Sequence, residues 1–165
     1  MIAKSLDELE NWVTQWKSEK KRVVFTNGVF DILHAGHVDY LQKSKALGDV
    51  LVVGMNDDAS VRSLHKGPER PINPQEARAF VLDALKCVDA VIIFSDYTPL
   101  AVIKATLPDV LVKGGDYDPE ISDPSNKQFI VGSNEVRRHG GVVRTIPLVD
   151  GFSTTGLVNK LKNQS

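Results

Sequence analysis

Cysteine is almost missing from this chain of 165 residues: Cys87 stands alone. One thiol cannot form an internal disulfide, which suits a reducing compartment. No histidine lies near it in sequence, so Cys87 reads as the buried end of a helix rather than as a nucleophile. Net charge is missing too, at a formal −1, so no basic field recruits nucleic acid. An anionic ligand must instead be held by local charges and backbone amides. No apolar run is long enough to span a membrane. Residues 1–10 alternate apolar and charged side chains, without the basic start and apolar stretch of a signal peptide. No internal repeat and no low-complexity tract appears. These absences point to a cytoplasmic protein with neither membrane nor nucleic acid as partner.

The length fits one domain with a hydrophobic core. Residues 5–20 read as an amphipathic helix with Ser5 as N-cap and Glu8 completing a capping box. Leu6, Leu9, Val13 and Trp16 recur at helical spacing and form its packing stripe. We divide the chain into this packing segment, 1–21, and a main domain, 22–165. In the main domain apolar strands are expected at 22–27, 49–55, 90–94, 109–112 and 142–146. Helices are expected at 37–47, 58–64, 74–87, 99–106, 129–139 and 153–161. The stretch 65–73 (HKGPERPIN) and the polar segment 118–127 read as loops. Strand–helix alternation of this kind predicts an α/β fold: one Rossmann-like open parallel sheet of five strands, with helices on both faces. Ligands of such sheets bind at the carboxyl ends of the strands, near the reversal of strand order.

The first strand runs into Thr26-Asn27-Gly28-Val29-Phe30-Asp31-Ile32-Leu33-His34-Ala35-Gly36-His37. Gly28 permits a tight turn that brings amide groups close to a ligand. The His-x-Gly-His segment then enters a helix N-terminus, where free N–H groups and the dipole favour phosphate. Gly36 leaves room for a phosphate against the backbone. Imidazoles there can donate to phosphoryl oxygens, with bonds that strengthen as charge moves in the transition state. Two histidines satisfied by carbonyls are the bland alternative. Zinc is disfavoured because His65 and His139 lie in unrelated segments. A dinucleotide-dependent dehydrogenase is disfavoured because GxGxxG does not follow the first strand.

The run GVFDILHAGHVDYLQKSKALGD resembles the cytidylyltransferase-like family of HxGH nucleotidyltransferases. Residues 22–162 look like the adenylyltransferase domain of ADP-heptose synthesis, on the segments RPINPQEAR, LPDVLVKGGDYDPE, VGSNEV and DGFSTT. The resemblance implies that the backbone of Asn27, Gly28, Val29 and Phe30 cradles a triphosphate and that His34 and His37 contact its phosphates. It makes Lys66, otherwise a solvated loop lysine, the cation that follows charge onto pyrophosphate. It turns Arg78, otherwise an exposed helix residue, toward the acceptor phosphate. Gly114 and Asp116 come to lie beside the nucleotide, although a turn-capping aspartate is as natural a reading. Lys113, at the end of the fourth strand, is assigned to the anionic substrate. Ser153, Thr154 and Thr155 open the last helix as a second phosphate site, and Ser153 alone would also serve as an N-cap.

The implied reaction is an in-line attack of an acceptor phosphate on the α-phosphorus of ATP, with no protein nucleophile. Mg2+ is expected to be held through the triphosphate, with no metal site of the protein's own and Asp31 bracing the HxGH loop. Expected partners are ATP, a sugar 1-phosphate, a separate sugar kinase that supplies it, and a second copy of the chain in a homodimer. Related cytidylyltransferases carry an arginine before the last helix where this chain has Leu148. That disfavours, without removing, a reading as a CTP-dependent alcohol-phosphate enzyme. A noncatalytic nucleotide-binding subunit is the third reading. The segment 122–128 is extra length beside the heptose-type domain.

Overall fold

The computed structural model describes residues 1–64, 67, 69–115, 117–149 and 151–162, less the side chains of 159 and 162. Lys66 and Asp116 lie outside the described residues. The chain opens with β1 (Ile2–Ala3) and α1 (Leu6–Ser18). Ser5 caps α1, its Oγ accepting from the Glu8 N–H at 3.2 Å. Glu8 reaches back one residue further than a capping box requires, accepting from the Lys4 N–H at 2.7 Å. Leu9, Val13 and Trp16 are buried, so the stripe packs as its spacing predicts.

The rest of the chain alternates strand and helix. Its first half runs β2 (Val23–Gly28), α2 (Ala35–Lys45), β3 (Val50–Asn56), α3 (Asp58–Ser63) and α4 (Gln75–Asp83). Its second half runs β4 (Ala90–Phe94), α5 (Leu100–Thr106), β5 (Val110–Gly114), α6 (Ser133–Arg138), β6 (Val142–Ile146) and α7 (Thr154–Lys162). The sheet order is β1-β4-β3-β2-β5-β6, and every pairing is parallel.

Among the described residues the sheet thus has six strands, not the expected five. The sixth is β1, whose Ile2 and Ala3 pair with Val91 and Ile92. Two residues are too short for a periodicity signal. The amino group of Met1 fixes this edge by pairing with Asp83 and donating to the Asp89 carbonyl.

Alternation divides β2 between two cores. Val23 and Phe25 join Leu9, Val13 and Trp16 on one face. Val24 joins Leu41, Leu51 and Leu82 on the other, beneath α2 and α4. All seven residues of β3 are buried, as a strand covered on both faces demands. Each fully buried Leu or Val contributes about 1.5–3 kcal/mol.

The helix expected at 129–139 is shorter, starting only at Ser133. Gly132 stops it by adopting φ +86°, and a Cβ there would come within 2.6 Å of Ile103 Cδ1. Residues 129–132 instead form turns that bury Ile130. Cys87 sits half-buried just beyond α4, and burial pushes its thiol up.

Candidate active site

Strand order reverses beside β2. From β2 the chain builds β3 and β4 on one side, then crosses to place β5 and β6 on the other. The carboxyl ends of β2 and β5 therefore flank a crevice, which is where open parallel sheets bind ligands. Asn27 and Gly28 end β2, and Lys113 and Gly114 end β5.

The turn after β2 has its strain at Phe30, not at Gly28. Phe30 takes φ +48°, a region that bulky side chains rarely occupy. A Cβ on Gly28 would come within 3.0 Å of the Phe30 ring, so the glycine makes room for that ring. His34 then acts as N-cap of α2, with φ −144° and no side-chain capping bond. Its imidazole is thereby left for other work. The His34 and His37 rings stack with centroids 3.8 Å apart at 21°. Phe152 lies against His34 on a centroid distance of 6.1 Å. Gly36 is required between them, because a Cβ would meet both Phe152 Cβ and the His34 ring within about 3 Å.

The Nδ1 atoms of both histidines are buried without a partner, as is Asn27 Oδ1. Burial lowers His34, and burial together with His34 lowers His37 to about 4, against a smaller raising contact from the Ile32 backbone. Two stacked imidazoles in one pocket disfavour a second positive charge. An anion across them would reverse that balance and recruit both as donors.

Two adjoining cavities open here. The larger, about 810 Å³, is lined by Asn27, Asn56, Tyr97, Thr98, Lys113 and Tyr117 among others. The smaller, about 270 Å³, includes His34, Gly36, Arg70, Ser153, Thr154 and Thr155. Val29, Phe30, His37, Tyr40 and Leu148 wall both. Tyr40 shares a 2.7 Å hydrogen bond with Thr26, and burial pushes it up to about 12, so it stays a neutral phenol. Lys113 Nζ lies 5.4 Å from the centre of the Tyr117 ring. Ser153 caps α7, its Oγ accepting from the Gly156 N–H at 2.9 Å, while Thr154 Oγ1 donates to the Ile32 carbonyl at 3.4 Å. A separate cavity of about 490 Å³ among Lys17, Lys20, Lys21 and Arg22 holds none of the expected residues.

Arg78 requires a correction. It is not the exposed helix residue expected: its side chain is fully buried. Nη1 donates to the Val29 and Asn56 carbonyls at 2.7 and 2.9 Å, Nε to the Asn73 carbonyl at 3.0 Å, and Nη2 to Asp58 at 2.6 Å. Four bonds fill nearly the whole fork, so Arg78 shapes the site by clamping its backbone. Asp31 does brace the loop, accepting from the Ile72 and Asn73 N–H groups and from Arg70 Nε. Asn56, Tyr97, Thr98 and Arg70 were not anticipated. The first three directly end or follow β3 and β4, so the strand-end rule applied to those strands would have found them.

The cytidylyltransferase-like family model matches residues 25–157. The chain belongs to the cytidylyltransferase-like family. It is a nucleotidyltransferase-type domain, as the HxGH segment suggested. It is 51% identical over 162 residues to the bifunctional protein HldE of Geotalea uraniireducens, covering 98% of this chain and 31% of that protein. The bifunctional protein HldE of Wolinella succinogenes is likewise 51% identical over 158 residues, covering 96% of this chain and 31% of its own length. The chain thus spans about three tenths of the curated relatives it matches. Among solved structures it is similar to a lipopolysaccharide core biosynthesis protein from Thermoplasma volcanium, at TM-score 0.59 and 31% identity, over 78% of this chain and 97% of that one. Pantoate-beta-alanine ligase from Francisella tularensis shares the fold alone, at TM-score 0.60 and 12% identity, over 98% of this chain and 77% of that one.

Two predictions follow from these contacts. Arg78→Leu leaves Asp58 and three carbonyls without their donor, and should cost about 3–5 kcal/mol in urea denaturation. A loss below about 1 kcal/mol would remove Arg78 from its bracing role. The second concerns pH. Unfolded His37 binds a proton near 6.5, whereas folded His37 binds one only near 4. The unfolded state therefore gains protons first as pH falls, and stability present above 6.5 is lost on the way down to 4. The urea midpoint should fall more in the wild type than in His37→Gln between about pH 7.5 and about pH 4.5. Parallel curves would refute the depressed His37.

Proposed function

We propose that this domain transfers the adenylyl group of ATP to the phosphate of a sugar 1-phosphate, a heptose 1-phosphate, and releases pyrophosphate. The stacked His34–His37 pair at the start of α2 carries the chemistry of this reading. The resemblance of LVKGGDY and DGFSTT to the heptose-type domain supports the substrate, and the likeness to the lipopolysaccharide core biosynthesis protein of Thermoplasma volcanium supports a step toward lipopolysaccharide core precursors. The acceptor's phosphate oxygen is already anionic at neutral pH. It attacks the α-phosphorus in line, and the bond to the β-phosphate's bridging oxygen breaks. Catalysis then consists of positioning and charge stabilisation.

The triphosphate runs from the Asn27–Phe30 backbone past the histidines to Ser153, Thr154 and Thr155. Gly114 is assigned to the nucleoside, and the roles of Asp116 beside it and of Lys66 toward the departing pyrophosphate rest on the family resemblance alone. The larger cavity takes the acceptor: Asn56, Tyr97 and Thr98 suit hydroxyl groups, and Lys113 supplies counter-charge. No cluster of three or more His, Cys, Asp or Glu suited to a metal occurs among the described residues. The Asp31 carboxylate is committed to Arg70, Ile72 and Asn73. In this reading Mg2+ takes its ligands mainly from the phosphates and water, neutralising charge as they meet. A sugar kinase reaction supplies the acceptor. ATP as donor places the reaction in the cytoplasm. Among the described residues no helix is long and apolar enough to cross a membrane. We take the working unit as a homodimer, for which exposed Phe80 and Val81 on α4 offer apolar surface.

The test is pyrophosphate release from purified protein with four nucleoside triphosphates and a panel of sugar and alcohol phosphates. ATP with a heptose 1-phosphate should be fastest. Glycerol 3-phosphate should be poor, because it leaves hydroxyl-reading groups unpaired. CTP with glycerol 3-phosphate at an equal or higher rate would overturn the substrate assignment. In the same assay His34→Ala and His37→Ala should each lower turnover about a hundredfold. Near-normal turnover in both would remove the histidines from the mechanism.

A further inference from the structure

Arg70 sits between α3 and α4, and only 7% of it is exposed. Its Nε donates to Asp31 Oδ2 at 2.5 Å. The Asp31 side chain is wholly buried. That carboxylate also accepts from the Ile72 and Asn73 N–H groups at 2.9 Å, and the Asp31 carbonyl accepts from Asn73 Nδ2 at 2.6 Å. The guanidinium is thus pinned by one edge. With Nε held by Asp31, the N–H pair at the end of the planar fork, one from each amino group, is directed away from that carboxylate. Arg70 lines the smaller cavity together with His34, His37 and the first residues of α7.

A buried ion pair is a weak way to anchor a loop, since apolar side chains of similar volume do as well. The backbone N–H groups of Ile72 and Asn73 already tether Asp31. The pair therefore calls for a further reason, and the cavity supplies one. Among its described lining residues Asp31 is the single acid, and it is engaged. The remaining polar groups include the unpartnered imidazole Nδ1 atoms and the hydroxyls at the start of α7. With its one described acid engaged, the Arg70 guanidinium, the Ser153 hydroxyl and one N–H on each neutral imidazole are left to donate, which is the chemistry of an anion site.

We infer that Arg70 contacts the diphosphate portion of the nucleotide, the part that leaves as pyrophosphate, and that Asp31 is the positioning residue that fixes its fork. This rests on the nucleotidyl-transfer reading above. No proton moves in the contact. Arg70 meets charge that grows on the bridging oxygen and the β-phosphate as the bond to the α-phosphorus breaks.

Inorganic pyrophosphate is the probe. By calorimetry, Arg70→Ala should weaken its binding about tenfold or more, and Arg70→Lys should recover only part of that, because an ammonium supplies charge without the fork. Wild-type affinity in folded Arg70→Ala overturns the inference. Side-chain NMR of the arginine-labelled wild type needs no variant. The Arg70 Nε–H signal, assigned through its nearness to the Ile72 amide that shares Asp31, should shift as pyrophosphate is added. A signal unmoved at saturation also overturns it. The two readings fail separately. Turnover by the wild type with a silent Arg70 removes only this contact. Pyrophosphate binding at Arg70 without turnover of any nucleotide removes only the proposed reaction.

Discussion

β2 pairs in parallel with β3 on one side and β5 on the other, and the site depends on that single constraint. Both neighbours run in its direction, so all three strands deliver their last residues to one edge. Burial on both faces fixes the register of β2, because a slip of one residue would exchange Val23 and Phe25 with Val24 and Thr26 between two different cores. The backbone leaving this strand then turns through Phe30 at positive φ. Arg78 holds it there, with one guanidinium bound to the ends of β2 and β3 and to the start of α4. Strain at the turn is thus opposed by charge-assisted bonds from beneath, and the histidines above inherit a fixed platform.

The electrostatics of that platform have a direction. The one described acid of the smaller cavity is engaged, while burial lowers both histidines and His34 lowers His37 further. A site with permanent positive charge on both imidazoles would repel itself when empty. A site of latent donors avoids that cost and gains charge only when a polyanion arrives. Arg70 and the hydroxyls of α7 line the same cavity as the histidines, so a phosphate chain bound there would meet groups from three separate segments.

Much of this was legible in the sequence, and the exceptions share a cause. The strands were visible because buried parallel strands are continuous apolar runs. The pair His34–His37 was visible because its spacing, its glycine and its place at a helix start are local. Arg78 was misread because its partners Val29, Asn56, Asn73 and Asp58 come from separate segments, and three of the four groups are backbone carbonyls without a sequence signature. β1 escaped because its only signal is pairing with β4, nearly ninety residues away. The late start of α6 was written in Gly132, but its meaning depends on Ile103 pressing from α5.

Leu148 shows how a local departure acquires meaning only in the fold. It walls both cavities, and it packs so closely that a Cβ on Gly114 would approach its Cδ2 to 3.2 Å. An arginine at this position would place a charge between the two chambers and beside the end of β5. Leucine leaves that partition apolar, so counter-charge must come from outside it: Arg70 in the smaller chamber and Lys113 in the larger. In the proposed reaction a phosphate held by either cation would come within reach of His37, which borders both chambers. An apolar partition would there leave that shared wall to fix the line along which one phosphate approaches the other.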